Sequence, residues 1–276
     1  VSVIERRLSG TAPGLSRGLP RPQLTAPMQA TAEKDRDRRF ATTLAKGLSI
    51  LQAFAPGDRA LGNRELARRT GMPPSTVARM TFTLTQLGFL QQLKPEDSYR
   101  LGPAVMALGY TARAGLSFLP TAEALMQELA DEVGALVALA MRDGDAAMLT
   151  RCWRPRNTPT IWLTEGHRLP LARSSPGRAM LAARQRSESD STDVMEDRAA
   201  LQSRGFLTSI GRWNESINAC AVPFWPDSSQ EPAAFLCGAQ ADVLSESVLN
   251  EEVGPLLLTA VRELERSLGI TGLRPL

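Results

Sequence analysis

The sequence predicts an α+β chain, with an N-terminal winged helix-turn-helix followed by an α/β domain built around an antiparallel sheet. Three observations predict this fold class. Three helix-like runs lie within residues 43–88, and Gly71-Met72-Pro73-Pro74 separates the second from the third. Two short strand-like runs with a hairpin loop follow directly. From about Pro120 onward, helices alternate with strands in hairpins, which is typical of an α/β domain around an antiparallel sheet.

The charge distribution differs between the two halves of the chain. The 276 residues are 43% hydrophobic, enough for one large domain or two modest ones, and the net charge is +3. Residues 1–115 carry 17 Lys and Arg against 8 Asp and Glu, a net +9, whereas residues 116–276 carry 15 against 21, a net −6. A basic N-terminal part joined to an acidic C-terminal part favours binding of a polyanion by the N-terminal part. A disordered basic tail beside an ordinary domain would give the same charges.

Other composition features narrow the class of protein. No run approaches 18 apolar residues, so no membrane span is expected. The N-terminal segment lacks an apolar core before a small-residue cleavage site, so a signal peptide is not expected. Cys152, Cys220 and Cys237 are far apart and lack metal-ligand spacing, which indicates reduced thiols in a cytoplasmic protein.

The first helix is predicted over about 43–55. Residues 1–39 are rich in Pro, Gly, Ala, Ser and Arg without an apolar period, so they are predicted to be a disordered tail. The helix spacing then places Leu44, Leu48, Leu51 and Ala55 inward, beside Phe54. The predicted domains are the winged helix-turn-helix over 40–102, a linker helix over 103–119, and an effector-binding and oligomerisation domain over 120–272.

The helix-turn-helix itself is predicted over 63–88. Asn63 is a candidate N-cap, Leu66 and Ala67 face inward, and the arginines at 64, 68 and 69 face outward. Gly71 supplies a left-handed turn. The next helix starts at Pro74 or Ser75, buries a stripe of Val77, Met80, Leu84 and Leu87, and ends at Gly88.

The order helix, helix, sharp turn, helix and hairpin places the third helix in a DNA major groove. Strands are predicted at 89–93 and 98–101, a hairpin loop at 94–97 and a further helix at 104–114. The start of the third helix offers N–H groups to phosphate, and Arg79 can reach a guanine edge. A three-helix scaffold without a ligand is the alternative. The predicted DNA-binding residues are Ser75, Thr76, Arg79 and Thr83, supported by Arg64, Arg68, Lys94 and Arg100.

The second part is predicted to be one α/β domain. The predicted helices are 122–133, 177–183, 197–204 and 246–268, the last continuing despite Gly254-Pro255. The predicted strands are 135–141, 146–152, 160–163, one after Gly205-Phe206-Leu207, and the pair 219–224 and 233–239 with a turn at 226–230. Residues 184–193 are predicted to be a polar surface loop.

Catalytic chemistry is not apparent in the sequence. His167 is the only histidine and is expected to be a surface or loop-packing residue, with Gly166 to Pro170 forming a turn before a loop. Neither a Gly-x-Ser-x-Gly, a P-loop nor a Gly-x-Gly-x-x-Gly is present. We therefore predict a protein that is not an enzyme and that uses no cofactor or metal.

The chain resembles the IclR family of bacterial transcription regulators over about residues 40–270. The motifs that carry the resemblance are Leu44 to Leu51, Glu65-Leu66-Ala67 to Gly71, Ser75-Thr76-Val77 to Phe89, Tyr99 to Gly102, Arg168-Leu169-Pro170, Ser175 to Ala179, and Ala219 to Pro223. The resemblance implies a winged helix joined to a GAF-like domain that binds a small molecule. It also implies dimerisation through the DNA-binding half and, often, tetramers.

The resemblance further implies an effector pocket framed by the Ser174–Ala179 loop and the strands after it. The implied effector-binding residues are Ser174, Ser175, Gly177, Ser209, Ala219, Cys237 and Ala239. Pro176 lacks an N–H that would contact a ligand, which disfavours a glyoxylate-like effector. The Ala-Val-Pro and Phe-Leu-Cys-Gly-Ala strands look like the branch that controls aromatic-acid breakdown. Trp153 and Trp162 are candidate stacking surfaces or packing residues, and Arg178 is a candidate donor or a surface residue.

Three functions remain open from the sequence. The first is a DNA-binding transcriptional regulator modulated by a small carboxylate, for which an aromatic acid is one candidate. The second is a DNA-binding regulator whose second domain only oligomerises, and the third is a small-molecule enzyme fused to a DNA-binding domain. A homodimer or homotetramer on a pseudo-palindromic operator is predicted, because one winged helix reads too short a site.

Overall fold

The computed structural model describes residues 39–94, 97–226 and 231–270. The predicted N-terminal tail, apart from its last residue, lies outside these ranges, as do the middle of the wing loop and most of the predicted turn at 226–230. The described residues form two compact units, 39–116 and 117–270.

The first unit contains four helices and three short strands. Its elements are α1 (Thr42–Gln52), β1 (Leu61–Gly62), α2 (Asn63–Thr70), α3 (Pro74–Gln86), β2 (Leu90–Leu93), β3 (Ser98–Leu101) and α4 (Pro103–Ala114). The strands form an antiparallel sheet in the order β1-β3-β2. The predicted helices and hairpin are confirmed. The two-residue strand β1 was not predicted, since a two-residue strand carries no alternation.

The core of the first unit uses partly different residues from those predicted. Ile50, Leu66, Val77 and Leu90 are buried in one cluster, against which Met80 and Leu84 pack. The predicted inward positions Leu44, Leu48 and Leu87 are wrong, because they are 63%, 49% and 62% exposed.

Three polar residues near this core also differ from the prediction. Thr81 is buried in place of Leu87, and its hydroxyl bonds to Asn63 Oδ1 at 3.2 Å and to the Val77 carbonyl at 3.1 Å. The N-cap of α2 is Gly62 rather than Asn63. Arg69 was predicted to face outward, but it is half-buried because it binds Asp58 and Glu65.

The second unit is a six-stranded antiparallel sheet covered by helices. Its helices are α5 (Leu119–Val133), α6 (Ser175–Ala183), α7 (Thr192–Arg204), the single turn α8 (Glu246–Val248) and α9 (Gly254–Ser267). Its strands are β4 (Leu136–Asp143), β5 (Ala146–Trp153), β6 (Arg168–Pro170), β7 (Leu207–Ile210), β8 (Ile217–Phe224) and β9 (Ala233–Gln240), in the order β6-β5-β4-β9-β8-β7.

Two predictions for the second unit are wrong. Residues 160–163 are irregular and the edge strand lies at Arg168–Pro170 instead, because Ala146 to Met148 pair with this segment. The predicted helix 197–204 begins earlier, at Thr192, where Ser191 caps it by accepting the Val194 N–H. The terminal helix is interrupted by a π-helical turn at Leu249–Val253, just before Gly254 and Pro255.

The two faces of this sheet are covered by different helices. Side chains alternate between the faces along each strand. One face packs against α6 and α7, with Ala179, Met180 and Leu201 in the same core cluster as Ala221 and Leu236. We call this the α6 face. Helices α5 and α9 contact β4, β5, β8 and β9, so they cover the opposite face, which we call the α9 face.

Candidate nucleic-acid interface and candidate effector site

The turn between α2 and α3 is built from the residues that broke the helical pattern in the sequence. Gly71 has a φ of 68°, in the left-handed region, and its N–H bonds to the Ala67 carbonyl at 2.9 Å. Pro73 is extended and Pro74 starts α3. Leu66 and Val77 are fully buried in the same core cluster. The turn and this core together hold the angle between the two helices.

The start of α3 is less suited to holding phosphate than the sequence indicated. Pro74 has no N–H. The N–H groups of Thr76 and Val77 donate to the Pro73 carbonyl at 3.0 and 3.1 Å. The first turn therefore offers few free N–H groups, and its exposed side chains are the main groups available to a ligand.

The predicted recognition residues divide into outward and flanking positions. Ser75, Arg79 and Thr83 are exposed, while Thr76 is half-buried. Arg79 has no acidic partner among residues 39–94, 97–226 and 231–270, so its guanidinium is available to a base or phosphate. The Thr83 hydroxyl donates to the Arg79 carbonyl at 3.0 Å, so it presents an acceptor and a methyl group rather than a donor.

The two supporting arginines on α2 differ in their availability. Arg64 is exposed and forms no ion pair within the described part of the chain. Arg68 is 71% exposed, but its guanidinium bonds to Glu65 at 2.6 and 2.8 Å. Hydrogen bonds from Arg68 and Arg69 lower the pKa of Glu65 to about 2, so this carboxylate stays charged and competes with phosphate for Arg68.

The wing residues are also exposed. Lys94 lies at the end of β2 and has no acidic partner in the described ranges. Arg100 on β3 bonds through its guanidinium to Gln91 Oε1 on β2 at 2.8 and 3.0 Å, across the hairpin. Because Gln91 is neutral, this contact does not offset the positive charge that Arg100 adds to the hairpin.

Sequence reasoning missed Phe82 in the middle of α3. Its side chain is 66% exposed. The signal was available, because positions 75, 79, 82 and 86 recur every three or four residues and so share one helical face. The prediction had considered only hydrogen-bonding residues on that face.

The candidate effector loop is a capped helix start. The Ser174 Oγ accepts the Gly177 N–H at 3.3 Å, and α6 starts at Ser175 rather than at the predicted Gly177. Ser174, Ser175 and Gly177 are all buried. A Cβ on residue 177 would lie 2.1 Å from the Leu171 carbonyl oxygen, so the close approach of these backbones requires glycine.

The sheet brings together only part of the predicted effector set. Ser209 pairs with Ala219, and Ala219 pairs with Gly238, so these three residues form one row on the α6 face. Cys237 and Ala239 flank Gly238 along β9 and therefore project to the α9 face. The structure thus separates Cys237 and Ala239 from Ser209 and Ala219, since a shift of one residue on a strand changes the face.

Arg178 is occupied by protein groups. It is 8% exposed, and its guanidinium donates to both carboxylate oxygens of Asp197 and to the Thr208 carbonyl at 3.0 Å. It is therefore not a free donor for an effector, nor a surface residue. It instead joins α6 to α7 and to β7, next to Ser209.

The two candidate stacking tryptophans lie elsewhere. Trp153 is 1% exposed and belongs to the row of Val137 and Cys237 on the α9 face, with Phe235 6.1 Å away between ring centroids. Trp162 is 74% exposed, and the Arg154 guanidinium lies 5.4 Å from its ring. In this structure Trp153 is therefore a packing residue, and Trp162 is a surface residue.

The remaining reactive groups are buried or hydrogen-bonded. All three cysteines are free and buried, and burial raises the pKa of Cys152 and of Cys220 to about 12 and that of Cys237 well above its usual value. The His167 Nδ1 lies 2.9 Å from the Thr164 hydroxyl. Within the described ranges, no cluster of His, Cys, Asp or Glu could hold a metal ion, and no helix is long and apolar enough to span a membrane.

Comparison with protein-family models gives two matches along the chain. The IclR helix-turn-helix domain matches residues 43–94. The C-terminal domain of the bacterial transcriptional regulator IclR matches residues 114–204. The two matches fall in the two units in the expected order.

Proteins and solved structures that are similar to this chain agree with the two family matches. A structure of an IclR family transcriptional regulator from Brucella abortus is 33% identical, covers 84% of this chain and 94% of its own, and has a TM-score of 0.72. The Pca regulon regulatory protein of Pseudomonas putida is 27% identical over 83% of this chain and 84% of its own. An IclR homolog from Microbacterium hydrocarbonoxydans, complexed with 4-hydroxybenzoate, is 20% identical, covers 83% and 100%, and has a TM-score of 0.67.

Proposed function

Because this chain belongs to the IclR family of DNA-binding transcriptional regulators, we propose that it binds a pseudo-palindromic operator as a homo-oligomer and responds to a small aromatic carboxylate. The observation that carries the DNA-binding part is the outward face of α3. Arg79 lies there without an acidic partner among the described residues, and Arg64 and Lys94 on α2 and the wing add unpaired positive charge.

The role proposed for each of these residues in DNA binding follows from its surroundings. Arg79 and Ser75 read base edges, because they occupy the exposed face of the helix that enters the major groove. Arg64, Lys94 and Arg100 contact phosphates, because they flank that helix on other elements. Thr76 and Thr83 contribute acceptors at the edge of the contact, and Arg68 contributes least because Glu65 already binds it.

The proposed homodimer is based on the exposed apolar side chains of α4. None of its residues is buried, and Met106, Leu108 and Tyr110 are 58%, 60% and 64% exposed. Met106 and Tyr110 are four residues apart and share one helical face, whereas Leu108 lies on the opposite side, so apolar side chains are exposed on both sides of α4. Exposed apolar surface of this extent marks protein interfaces. A two-fold dimer then requires half-sites one helical turn apart, or a multiple of that distance.

Sedimentation and footprinting test the oligomer. Leu108→Glu should shift the protein toward monomer in sedimentation velocity and weaken operator binding, whereas the wild-type chain should protect both half-sites together. A monomer that protects a single half-site at saturation contradicts the proposal.

The proposed effector site lies between the start of α6 and the row of Ser209, Ala219 and Gly238. Ser174 and Ser175 supply hydroxyl groups that bind a carboxylate at a helix N-terminus. Helix α6 contacts β7, β8 and β9, so these hydroxyls and the row belong to the same side of the sheet. The row carries one hydroxyl and two small apolar positions, which suits an aromatic ring better than a short polar acid.

The ligand of one similar protein supports the choice of an aromatic acid. The Microbacterium homolog was solved in complex with 4-hydroxybenzoate, which supports an aromatic carboxylate as the effector proposed here. Cys237 and Ala239, which the resemblance assigned to the pocket, are not part of the proposed contact, since their strand positions face α9.

A thermal-shift screen distinguishes the remaining functions. Benzoate and 4-hydroxybenzoate should raise the melting temperature more than acetate or pyruvate, because a ligand stabilises the state that binds it. The same acids should change operator affinity in fluorescence anisotropy. Absence of any stabilisation would favour a second domain that only oligomerises. Turnover that disappears in His167→Ala would favour the enzyme.

A further inference from the structure

The outward face of α3 contains an apolar row beside its polar row. With 3.6 residues per turn, positions 75, 79, 82 and 86 lie within about 60° of one another. They lie on the opposite side from the buried Val77 and Thr81. Phe82 is 66% exposed, and Ala78 is exposed one turn before it. The ring and the methyl group therefore lie along one edge of the face that carries Arg79.

A single exposed apolar side chain is common on protein surfaces and needs no explanation by itself. Phe82 differs because its position is on the recognition face rather than on a random surface. The hydroxyls around it are also turned away from that face. Thr83 and Thr85 donate to the carbonyls of Arg79 and Thr81 at 3.0 and 2.7 Å. The middle of the helix therefore presents mainly apolar groups, while hydrogen bonding comes from Arg79 and Ser75 in the first two turns.

The major groove offers one apolar group to such a surface. Thymine carries a C5 methyl group that projects into the groove, and alanine, threonine methyl and phenylalanine side chains are its usual contacts. Guanine presents two acceptors that suit a guanidinium in the same groove. A helix with an arginine row next to an apolar row therefore matches a base sequence in which guanine lies close to thymine.

We propose that Phe82, together with Ala78, packs against thymine methyl groups one or two base pairs from the guanine that Arg79 contacts, and so determines part of the operator sequence. This inference rests on the proposed use of the outward face of α3 in DNA binding. Phe82 acts as a specificity-determining residue by excluding water from the methyl group, and bases without a methyl group leave the ring in poor contact.

The test uses an operator selected from a random duplex library by the full wild-type chain. Each thymine of a half-site is replaced singly by deoxyuridine, which removes the methyl group and keeps every hydrogen-bonding group. Burial of one carbon group changes affinity about fourfold at room temperature. We expect at least one deoxyuridine position to weaken wild-type binding by about fourfold, and Phe82→Ala to bind all probes equally at that position.

Two variants control the experiment. Phe82→Leu keeps an apolar contact and should retain part of the deoxyuridine effect. Leu87→Ala removes a similarly exposed side chain (62%) at the end of the same helix but off the outward face, and should retain all of it. Circular dichroism should show that each variant is folded, because both side chains are exposed.

The possible outcomes separate the inference from the proposed function. Wild-type binding that no deoxyuridine changes would overturn the inference while leaving DNA binding intact. A deoxyuridine effect that persists in Phe82→Ala would assign the methyl contact to another residue and would also overturn it. Failure of the library selection to enrich any sequence would instead count against sequence-specific DNA binding itself.

Discussion

The guanidinium of Arg178 forms a two-point ion pair with the carboxylate of Asp197, and both side chains are buried to more than nine-tenths. The same guanidinium donates to the Thr208 carbonyl on β7 at 3.0 Å. One side chain thus connects the helix that starts at the candidate effector loop with the strand that carries Ser209.

Removal of either member of this pair should strongly destabilise the second unit. Arg178→Met or Asp197→Leu leaves an uncompensated buried charge, which costs about 3–5 kcal/mol. Urea unfolding followed by circular dichroism measures the change. The double variant should recover most of the loss, because neither charge remains. Arg156→Ala is the matched control: its pair with Asp131 is 73% and 30% exposed, so its loss should stay below about 1 kcal/mol. Equal losses in both cases would contradict the argument.

Recognition through Arg79 and phosphate contact through Arg64 should be distinguishable. Arg79→Ala should cost about 1–3 kcal/mol of binding at the preferred operator and much less at variants of the contacted base. Arg64→Ala should weaken binding to all sequences alike and reduce the salt slope by about 1. Anisotropy titrations across operator variants at several salt concentrations measure both. A uniform loss in Arg79→Ala would reassign that residue to phosphate contact, and no loss would exclude it from the interface.

Stability of the first unit should depend on pH through Glu65. Hydrogen bonds from Arg68 and Arg69 lower its pKa from 4.5 to about 2 in the folded protein. A depressed carboxyl pKa contributes stability above the unfolded value, and that contribution is lost as pH falls from about 4.5 to 2. Glu65→Gln should show a shallower loss of stability in this window in thermal melts of the full chain. Curves that remain parallel from pH 5 to 2 would contradict the assignment.

The cysteines should be unreactive in the native protein. Burial raises the pKa of Cys152 and Cys220 to about 12, and that of Cys237 well above its usual value, so little thiolate exists at pH 8. Iodoacetamide should modify none of the three thiols natively and all three in denaturant, as measured by intact mass. Rapid native labelling would show that the sheet opens at the strand of the labelled thiol, β5 for Cys152, β8 for Cys220 or β9 for Cys237.

The sequence predicted the positions of helices and strands better than it predicted which of their faces are buried. Strong turn signals such as Gly71-Met72-Pro73-Pro74 predicted the helix-turn-helix, and the hairpin followed from two short strand-like runs joined by a loop at 94–97. Burial around α1 was mispredicted because Leu44 and Leu48 are as apolar as Ile50, and only the positions of neighbouring helices show which side is covered. Cys237 and Ala239 were placed with Ala219 because a motif match gives no strand register. The pairing of Ala219 with Gly238 became visible only in the sheet.

Less of the surroundings of the candidate effector residues than of the outward surface of α3 could be predicted from the sequence. The local pattern placed a helix start close to Ser174 and Ser175, although Ser174 is the N-cap and the helix begins at Ser175, two residues before the predicted Gly177. Arg178 was not assigned correctly, because its partner Asp197 is distant in sequence and lies on a helix whose start was predicted five residues too late. Ion pairs between residues distant in sequence leave no local pattern. The sequence therefore could not show that Arg178, a candidate donor to the effector, instead binds Asp197 and connects α6 to α7.

The last prediction concerns Ser175 at the start of α6. Ser175→Asp would place a negative charge against the proposed carboxylate and should abolish the ligand response, while the first unit keeps its operator binding. Because Ser175 is 3% exposed, Ser175→Ala provides a second variant that preserves packing and should weaken effector binding by about 1.5–3 kcal/mol through loss of a hydrogen bond to a charged group. Ser203→Asp on the exposed side of α7 adds the same charge away from the site and should leave the response unchanged. Isothermal titration with benzoate or 4-hydroxybenzoate, and anisotropy on the operator, measure the two activities separately. Unchanged effector affinity in both Ser175 variants would place the pocket elsewhere in the second unit.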